Sequence, residues 1–173
     1  MKLSEGIEWG IHCCSFLTAI PEGYALTGAK LSEFFDLPRD YLAKHLQAMS
    51  RANILATSKG PKGGYCLARP ADQISLLDIV EAIDGKDPSF RCSEIRRRGP
   101  AGLSAEFYKK PCGIARAMWR AEHVWRSELK KVTIAHLAKD AETDVHDEQQ
   151  SKATHWLVRV LGVADSDMGK GNE

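Results

Sequence analysis

The most restrictive feature of the sequence is a glycine-rich, basic segment between two short strand patterns. Lys59-Gly60-Pro61-Lys62-Gly63-Gly64 joins the runs 54–58 and 65–68, which have the length and composition of β-strands. Glycine and proline at such a tip let the chain reverse, so the pattern predicts a β-hairpin. Helical periodicity dominates on both sides of the hairpin. The expected fold class is therefore mainly α with a small β-hairpin wing.

Three helices are predicted before the hairpin. Apolar residues recur at helical spacing over 3–17, and Thr27 is placed to cap a short second helix that ends at Phe35. A third helix starts at Pro38, since proline is well tolerated in the first turn. The apolar side of this helix consists of Leu42, Leu46 and Met49. Three helices followed by a hairpin give the order of a winged helix-turn-helix.

The remainder of the chain predicts a capped helix, a loop and a long helix. Ser75 and Asp78 form the pattern of a capping box, and periodicity is lost between Lys86 and Cys112. An apolar stripe from Gly113 to about Ala138 then predicts one long helix, which we expect to pair with a second chain because the domain already has a core. The predicted organisation is a winged helix-turn-helix over 1–85, a ligand-binding loop over 86–112, a dimerisation helix over 113–138 and an acidic tail over 139–173, with one possible helix at 154–161.

Charge distribution indicates the class of partner. The net charge of the whole chain is +1, but residues 38–69 carry six basic and one acidic side chain, and this excess of positive charge is typical of a surface that attracts phosphates. No run of 18 apolar residues occurs, so no membrane span is predicted. Five cysteines without a secretion signal favour a reducing compartment. We expect a cytoplasmic protein that binds double-stranded DNA.

The candidate DNA contacts follow from how a winged helix-turn-helix docks. The second helix of the pair places its N-terminal residues against base edges, and a wing tip can approach the adjacent minor groove. The alternative is that these cations are ordinary solvated residues of a domain that binds protein. The candidates are Arg39, Tyr41 and Lys44 on the helix, Lys59 and Lys62 at the wing tip, and Thr27 as a donor to phosphate at a helix N-terminus.

Three segments carry a family resemblance. They are Leu37-Pro38-Arg39-Asp40-Tyr41-Leu42, then Gly63-Gly64-Tyr65-Cys66-Leu67-Ala68-Arg69-Pro70, and then the run Ile74 to Gly85 that contains Ile-Ser-Leu-Leu-Asp-Ile. Over roughly residues 1–138 the chain resembles the Rrf2 family of winged-helix transcriptional regulators. The resemblance implies a homodimer that binds a palindromic operator as a repressor, and not an enzyme. Many members hold an iron–sulfur cluster near the dimerisation helix.

The resemblance also implies a ligand set. Common cluster-binding members have three neighbouring cysteines in the loop, whereas this chain has only Cys92 and Cys112 there. It looks like the subgroup that holds a [2Fe-2S] cluster with two cysteines from one chain and a glutamate and a histidine, here Glu8 and His12, from the first helix of the partner chain. Glu8 and His12 are spaced i and i+4, so their side chains share one helix face. This implied site would make operator binding depend on redox state.

The hypothetical mechanism is electrostatic. With two thiolates, one carboxylate and a neutral imidazole, one-electron reduction would take the site from a charge of about −1 to about −2, and such a change in a partly buried site can amount to a few kcal/mol. The first helix packs against the second and third helices, which we call the DNA-reading pair. The change of charge could therefore shift the DNA-reading pairs of the two chains. Trp9 and the run Arg96-Arg97-Arg98 are then the candidates to respond.

Other interpretations of these residues stay open at the level of sequence. Cys92 and Cys112 could form a metal-free thiol–disulfide switch that controls a DNA-binding repressor. Cysteine, histidine and carboxylate also suit a structural zinc site. An enzyme with a cysteine nucleophile and His12 or His123 as base is a third possibility, but no catalytic loop is evident. Cys13, Cys14 and Cys66 are predicted to serve packing.

Overall fold

A computed structural model describes residues 3–58 and 63–164, and in them it places seven α-helices and one antiparallel hairpin. The helices are α1 (Glu5–Leu17), α2 (Gly28–Phe35), α3 (Arg39–Arg51), α4 (Leu76–Asp84), α5 (Gly113–Lys131), α6 (Ile134–Asp144) and α7 (Asp147–Leu161), and the strands are β1 (Leu55–Ser58) and β2 (Gly64–Leu67). Short 3-10 helices lie at Ala71–Gln73, Ile95–Arg97 and Ala105–Tyr108. The mainly helical fold with a two-stranded wing is confirmed.

Side-chain caps explain where the helices around the wing begin. The Thr27 hydroxyl accepts a hydrogen bond from the Lys30 N–H at 3.2 Å, which starts α2. The Ser75 hydroxyl accepts from the Asp78 N–H at 3.2 Å, while the Asp78 carboxylate accepts from the Ser75 N–H at 2.8 Å. These groups satisfy donors that would otherwise lack partners in the first turn. Both predicted caps are confirmed.

The core surrounds α1, which packs against α3, α4 and α6. The largest buried side chains of the described residues include Leu26, Leu31, Leu42, Leu46, Met49, Ile54, Ile79, Ile134 and Leu157. Cys13 and Cys14 are fully buried among them, and burial raises the pKa of the Cys13 thiol to about 12. The prediction that these two cysteines serve packing is therefore confirmed, while Cys66 is half-buried in β2.

The predicted single helix over 113–138 is wrong. Helix α5 ends at Lys131, and Thr133 caps a separate helix α6. The Ile134 N–H donates to the Ile74 carbonyl at 2.8 Å, so the backbone between the helices pairs with the segment before α4. This long-range pairing interrupts a stretch whose apolar spacing by itself favours one continuous helix.

The interpretation of 139–173 as an acidic tail is wrong for its helical part. Helix α7 contains the helix expected at 154–161 but begins seven residues earlier, at Asp147. Leu157 on α7 is only 2 % exposed, and the Trp156 ring lies 4.9 Å from the Phe34 ring of α2. Helix α7 is therefore part of the folded domain. Residues 165–173 lie outside the described part of the chain.

Candidate nucleic-acid interface and redox site

Helix α3 presents its candidate base-reading residues to solvent. Arg39, Tyr41 and Lys44 are all exposed, and the Tyr41 side chain is 67 % accessible. The opposite side of α3 is buried in the core. The Tyr41 side chain therefore does not pack into the core of the domain. All three side chains are therefore accessible from solvent.

The base of the wing is attached to the segment that precedes α2. The Tyr65 N–H donates to the Leu26 carbonyl at 2.7 Å, and the Leu26 N–H donates to the Tyr65 carbonyl at 3.0 Å. A Cβ atom at Gly64 would lie closer than 3.0 Å to the Leu26 carbonyl group, so only glycine permits this approach. Thr27 is exposed next to this junction. The wing tip residues Lys59 and Lys62 lie outside the described residues.

Cys92 and Cys112 come together although a long loop separates them in sequence. Cys112 is the N-cap of α5, and its Sγ accepts a hydrogen bond from the Ala115 N–H at 3.2 Å. The pKa of the Cys112 thiol is lowered, mainly by this N–H, and further by a hydrogen bond from the Cys92 thiol and by the nearby positive charge of Arg96. A lowered pKa favours the thiolate, which is the form that binds metals and attacks oxidants.

The loop between the two cysteines is held by hydrogen bonds of its own. The Tyr108 hydroxyl donates to the Arg96 carbonyl at 2.9 Å and accepts from the Leu103 N–H at 2.9 Å. Arg96 also pairs with Glu94 and lies over the Tyr108 ring, 5.1 Å from its centre. Side chain and backbone contacts, and not a ligand alone, therefore order this nonperiodic segment.

Glu8 and His12 lie apart from the cysteines of their own chain. Both are exposed and line one open groove of about 430 Å³ along α1. Within residues 3–58 and 63–164, no three side chains of histidine, cysteine, aspartate or glutamate converge on a possible metal position. One chain thus presents two separate pairs of potential ligands, Glu8 with His12 and Cys92 with Cys112.

Rings on α1 contact both helices of the DNA-reading pair. Trp9 meets His45 of α3 edge to face, with 5.9 Å between ring centres. His12 lies 5.9 Å from the ring of Phe35, the last residue of α2. A displacement of α1 therefore reaches α2 and α3 directly.

The N-terminal half of α5 carries several exposed apolar side chains. Ile114 is 70 % exposed, and Met118, Trp119 and Val124 are also exposed. Farther along the helix, Trp125 is half-buried, and Arg126 pairs with Glu81 of α4 in the same chain. The predicted apolar stripe is thus divided, with its N-terminal half free for another molecule and its C-terminal half packed internally.

Sequence inspection missed the capping role of Cys112 and the aromatic contacts of Trp156. The helix start at Gly113 was predicted, but cysteine is not among the usual N-cap residues, so no sequence signal indicated this cap. For Trp156 no local signal existed, because its partner Phe34 is remote in sequence.

The fold defines the class of protein. Two helices joined by a tight turn, with the second one exposed beside a hairpin, form a winged helix-turn-helix. None of the helices in the described segments is long and apolar enough to cross a membrane. The Rrf2 family model, described as an iron-dependent transcriptional regulator, matches residues 3–140. The chain therefore belongs to the Rrf2 family, and it is a transcriptional regulator and not an enzyme.

Individual relatives agree with this assignment. The chain is 22 % identical to YwgB of Bacillus subtilis (strain 168), described as an HTH-type transcriptional regulator, over 93 % of this chain and 97 % of the relative. The structure is similar to that of CymR, the global cysteine regulator of B. subtilis, with a TM-score of 0.62 and 19 % identity, covering 80 % of this chain and 97 % of CymR. It is also similar to IscR of T. potens, with a TM-score of 0.62 and 19 % identity, covering 87 % and 96 % of the two chains. At these identities the structural likeness shows the fold alone.

Proposed function

We propose that the protein is a cytoplasmic, homodimeric repressor whose binding to a palindromic operator depends on the redox state of a [2Fe-2S] cluster. In this proposal Cys92 and Cys112 of one chain and Glu8 and His12 of its partner hold the cluster. The observation that carries it is the hydrogen bond between the thiols of Cys92 and Cys112, together with the lowered pKa of Cys112, which favours its thiolate. Thiolates are the usual ligands of iron–sulfur clusters, and imidazole can replace some of them.

The donor set fits a cluster shared between two chains. The thiols of Cys92 and Cys112 are already adjacent, and Glu8 and His12 share one exposed groove. Within residues 3–58 and 63–164, no three histidine, cysteine, aspartate or glutamate side chains are grouped so that they could hold a metal ion. A two-fold axis would supply each pair of cysteines with a Glu8 and His12 pair from the other copy. A bound cluster would supply a one-electron change of charge at this position.

The exposed face of α5 supports the dimer. Ile114 and Met118 lie uncovered on the helix that starts at Cys112. Contiguous exposed apolar side chains are typical of an interface, and a face that meets its own copy gives closed two-fold symmetry. Two reading heads related by this symmetry would match the two halves of a palindrome.

A salt titration tests the DNA contacts. Arg39→Ala and Lys44→Ala are each expected to weaken operator binding. If the replaced residue contacts a phosphate, its loss should also reduce the slope of log Kd against log salt concentration by about 1. Lys139→Ala, on an exposed side chain of α6, is the matched control. The assignment of α3 to the DNA-binding surface is wrong if Lys139→Ala weakens operator binding as much as the α3 variants do.

Absorption spectroscopy tests the cluster. Protein purified anaerobically is expected to absorb visible light, to contain iron and sulfide, and to bleach reversibly with dithionite. Cys92→Ala and His12→Ala should alter the spectrum, whereas Cys66→Ala in the wing should not. A colourless protein after reconstitution with iron and sulfide refutes the cluster, and bound zinc in its place supports a structural metal site.

A metal-free thiol switch is the second candidate, and the contact between the two thiols favours it. Cys92 and Cys112 would lose two protons and two electrons to an oxidant such as a peroxide and form one disulfide. The crystallised oxidised form of Staphylococcus aureus CymR, 23 % identical with a TM-score of 0.58, is a redox state of a protein with this fold. Titration of free thiols before and after peroxide treatment, with iron removed, tests it. Loss of two thiols together with a change in DNA affinity supports the switch.

A further inference from the structure

We infer that Phe35 is the positioning residue through which a change at His12 reaches the helix-turn-helix. The inference rests on the cluster form of the proposed function, in which His12 is a ligand. It concerns the route of the signal inside one chain, from α1 to the turn between α2 and α3.

The first step of the route is a ring contact. The His12 and Phe35 rings lie 5.9 Å apart between centres and are tilted by 50°. This separation lies within the range in which aromatic rings interact. His12 is exposed on α1, whereas Phe35 is half-buried. Any reorientation of the imidazole therefore changes the packing of a side chain that belongs to the DNA-reading pair.

The second step is the turn that follows Phe35, which is tightly held. Asp36 adopts a left-handed conformation with φ of 51°. The Ser32 hydroxyl donates to the Leu37 carbonyl at 2.6 Å, and the Leu37 N–H donates to the Ser32 carbonyl at 3.0 Å. Helix α3 begins immediately afterwards, at Arg39. Because these bonds fix the turn, a displacement of Phe35 is passed on to α3 and is not absorbed between the helices.

The surroundings of Phe35 leave it little freedom to move alone. Its ring meets Phe16 at 5.6 Å and Phe34 at 4.9 Å, each edge to face. Phe16 and Phe34 are stacked on each other at 3.9 Å, and Trp156 of α7 lies 4.9 Å from Phe34. Densely packed groups of this kind shift between discrete arrangements together with the elements that carry them.

Replacement of the ring tests the route. The quantity to measure is the ratio of operator Kd values for oxidised and reduced protein at fixed salt, with the visible spectrum recorded for every sample. Phe35→Leu removes the ring, and Phe35→Tyr restores one. Trp156→Leu is the control, because Trp156 belongs to the same group of aromatic rings and its ring contacts are with Phe16 and Phe34. Thermal unfolding of each variant reports general loss of packing.

For the wild type we expect a ratio between about 5 and about 150, the usual range for coupling between two sites. Phe35→Leu should keep the visible spectrum but bring the ratio of Kd values to within about twofold of one, and Phe35→Tyr should restore the wild-type ratio. Trp156→Leu should lower the unfolding temperature but keep the wild-type ratio. A ratio unchanged in Phe35→Leu, or equally reduced in Trp156→Leu, overturns the route through Phe35. A wild-type ratio of one refutes redox control itself, which is a distinguishable failure of the proposed function.

Discussion

Gly6 on α1 lies against the ring of His45 on α3. A Cβ atom at Gly6 would lie closer than 3.0 Å to three ring atoms of His45 on α3. His45 is half-buried, and its ring also makes an edge-to-face contact with Trp9 of α1. In Gly6→Ala the imidazole therefore has to move, or α1 and α3 have to separate.

Two opposing effects decide the size of the change. Alanine in place of glycine favours a helix by roughly 0.5–1 kcal/mol, and less near a helix end. Overpacking of a dense contact costs about 1–3 kcal/mol. The clash outweighs the gain, so Gly6→Ala should destabilise the protein by about 1–2 kcal/mol, which for a chain of this length lowers Tm by roughly 2–8 °C.

Thermal and urea unfolding at one fixed protein concentration measure this change, since dimer stability depends on concentration. Gly113→Ala is the control, because its added methyl group meets nothing within 4 Å and should be neutral or stabilising. In the background of His45→Ala the ring is absent, so Gly6→Ala should then stabilise α1. An equal loss of stability in both backgrounds would refute the clash as the cause.

Three further results are expected. The pKa of Cys112 is lowered, mainly by the hydrogen bond from the Ala115 N–H, so in cluster-free protein iodoacetamide should alkylate Cys112 at a lower pH than an ordinary thiol. Mass spectrometry of the labelled peptides measures the extent of alkylation at each pH. A pH profile like that of an ordinary thiol would contradict the prediction. Leu157→Ala should cost about 2–5 kcal/mol in urea unfolding because Leu157 is buried, whereas His155→Ala on the exposed side of α7 should cost little; equal effects would mean that α7 does not pack as described. Burial, aided by the charge of Lys44 and opposed by that of Asp84, lowers the pKa of His45 from its ordinary 6.5. The contribution of His45 to the free energy of unfolding is therefore present above pH 6.5 and is lost as the pH falls. His45→Gln should flatten this part of the curve of stability against pH, and an unchanged slope would contradict the assignment.

The sequence alone determined the features that depend on neighbours along the chain. Thr27 caps α2 and Ser75 caps α4 through hydrogen bonds to residues three positions away, so the pattern of letters contains both partners. The glycine-rich segment between two short strand patterns likewise predicts the hairpin, whose strands pair antiparallel. The order of these elements was sufficient to predict the winged helix-turn-helix.

Long-range contacts decided where the later helices end. The stretch from Gly113 onwards has helical spacing past Lys131, yet the backbone leaves the helix there because Ile134 bonds to Ile74. Helix α7 is polar in composition, and Trp156 packs only because α1 and α2 supply aromatic partners. Local propensity cannot anticipate such partners, since they come from remote parts of the chain.

The candidate site divides in the same way. The sequence shows potential metal ligands at Cys92, Cys112, Glu8 and His12. It also shows that Glu8 and His12 are spaced i and i+4. Only the tertiary structure brought Cys92 to Cys112 and left Glu8 and His12 in a separate groove. The physical reason is that a helix fixes the relative direction of side chains a few residues apart, whereas the distance across a loop of this length is set by the packing of α4 against α5 and by the hydrogen bonds within the loop.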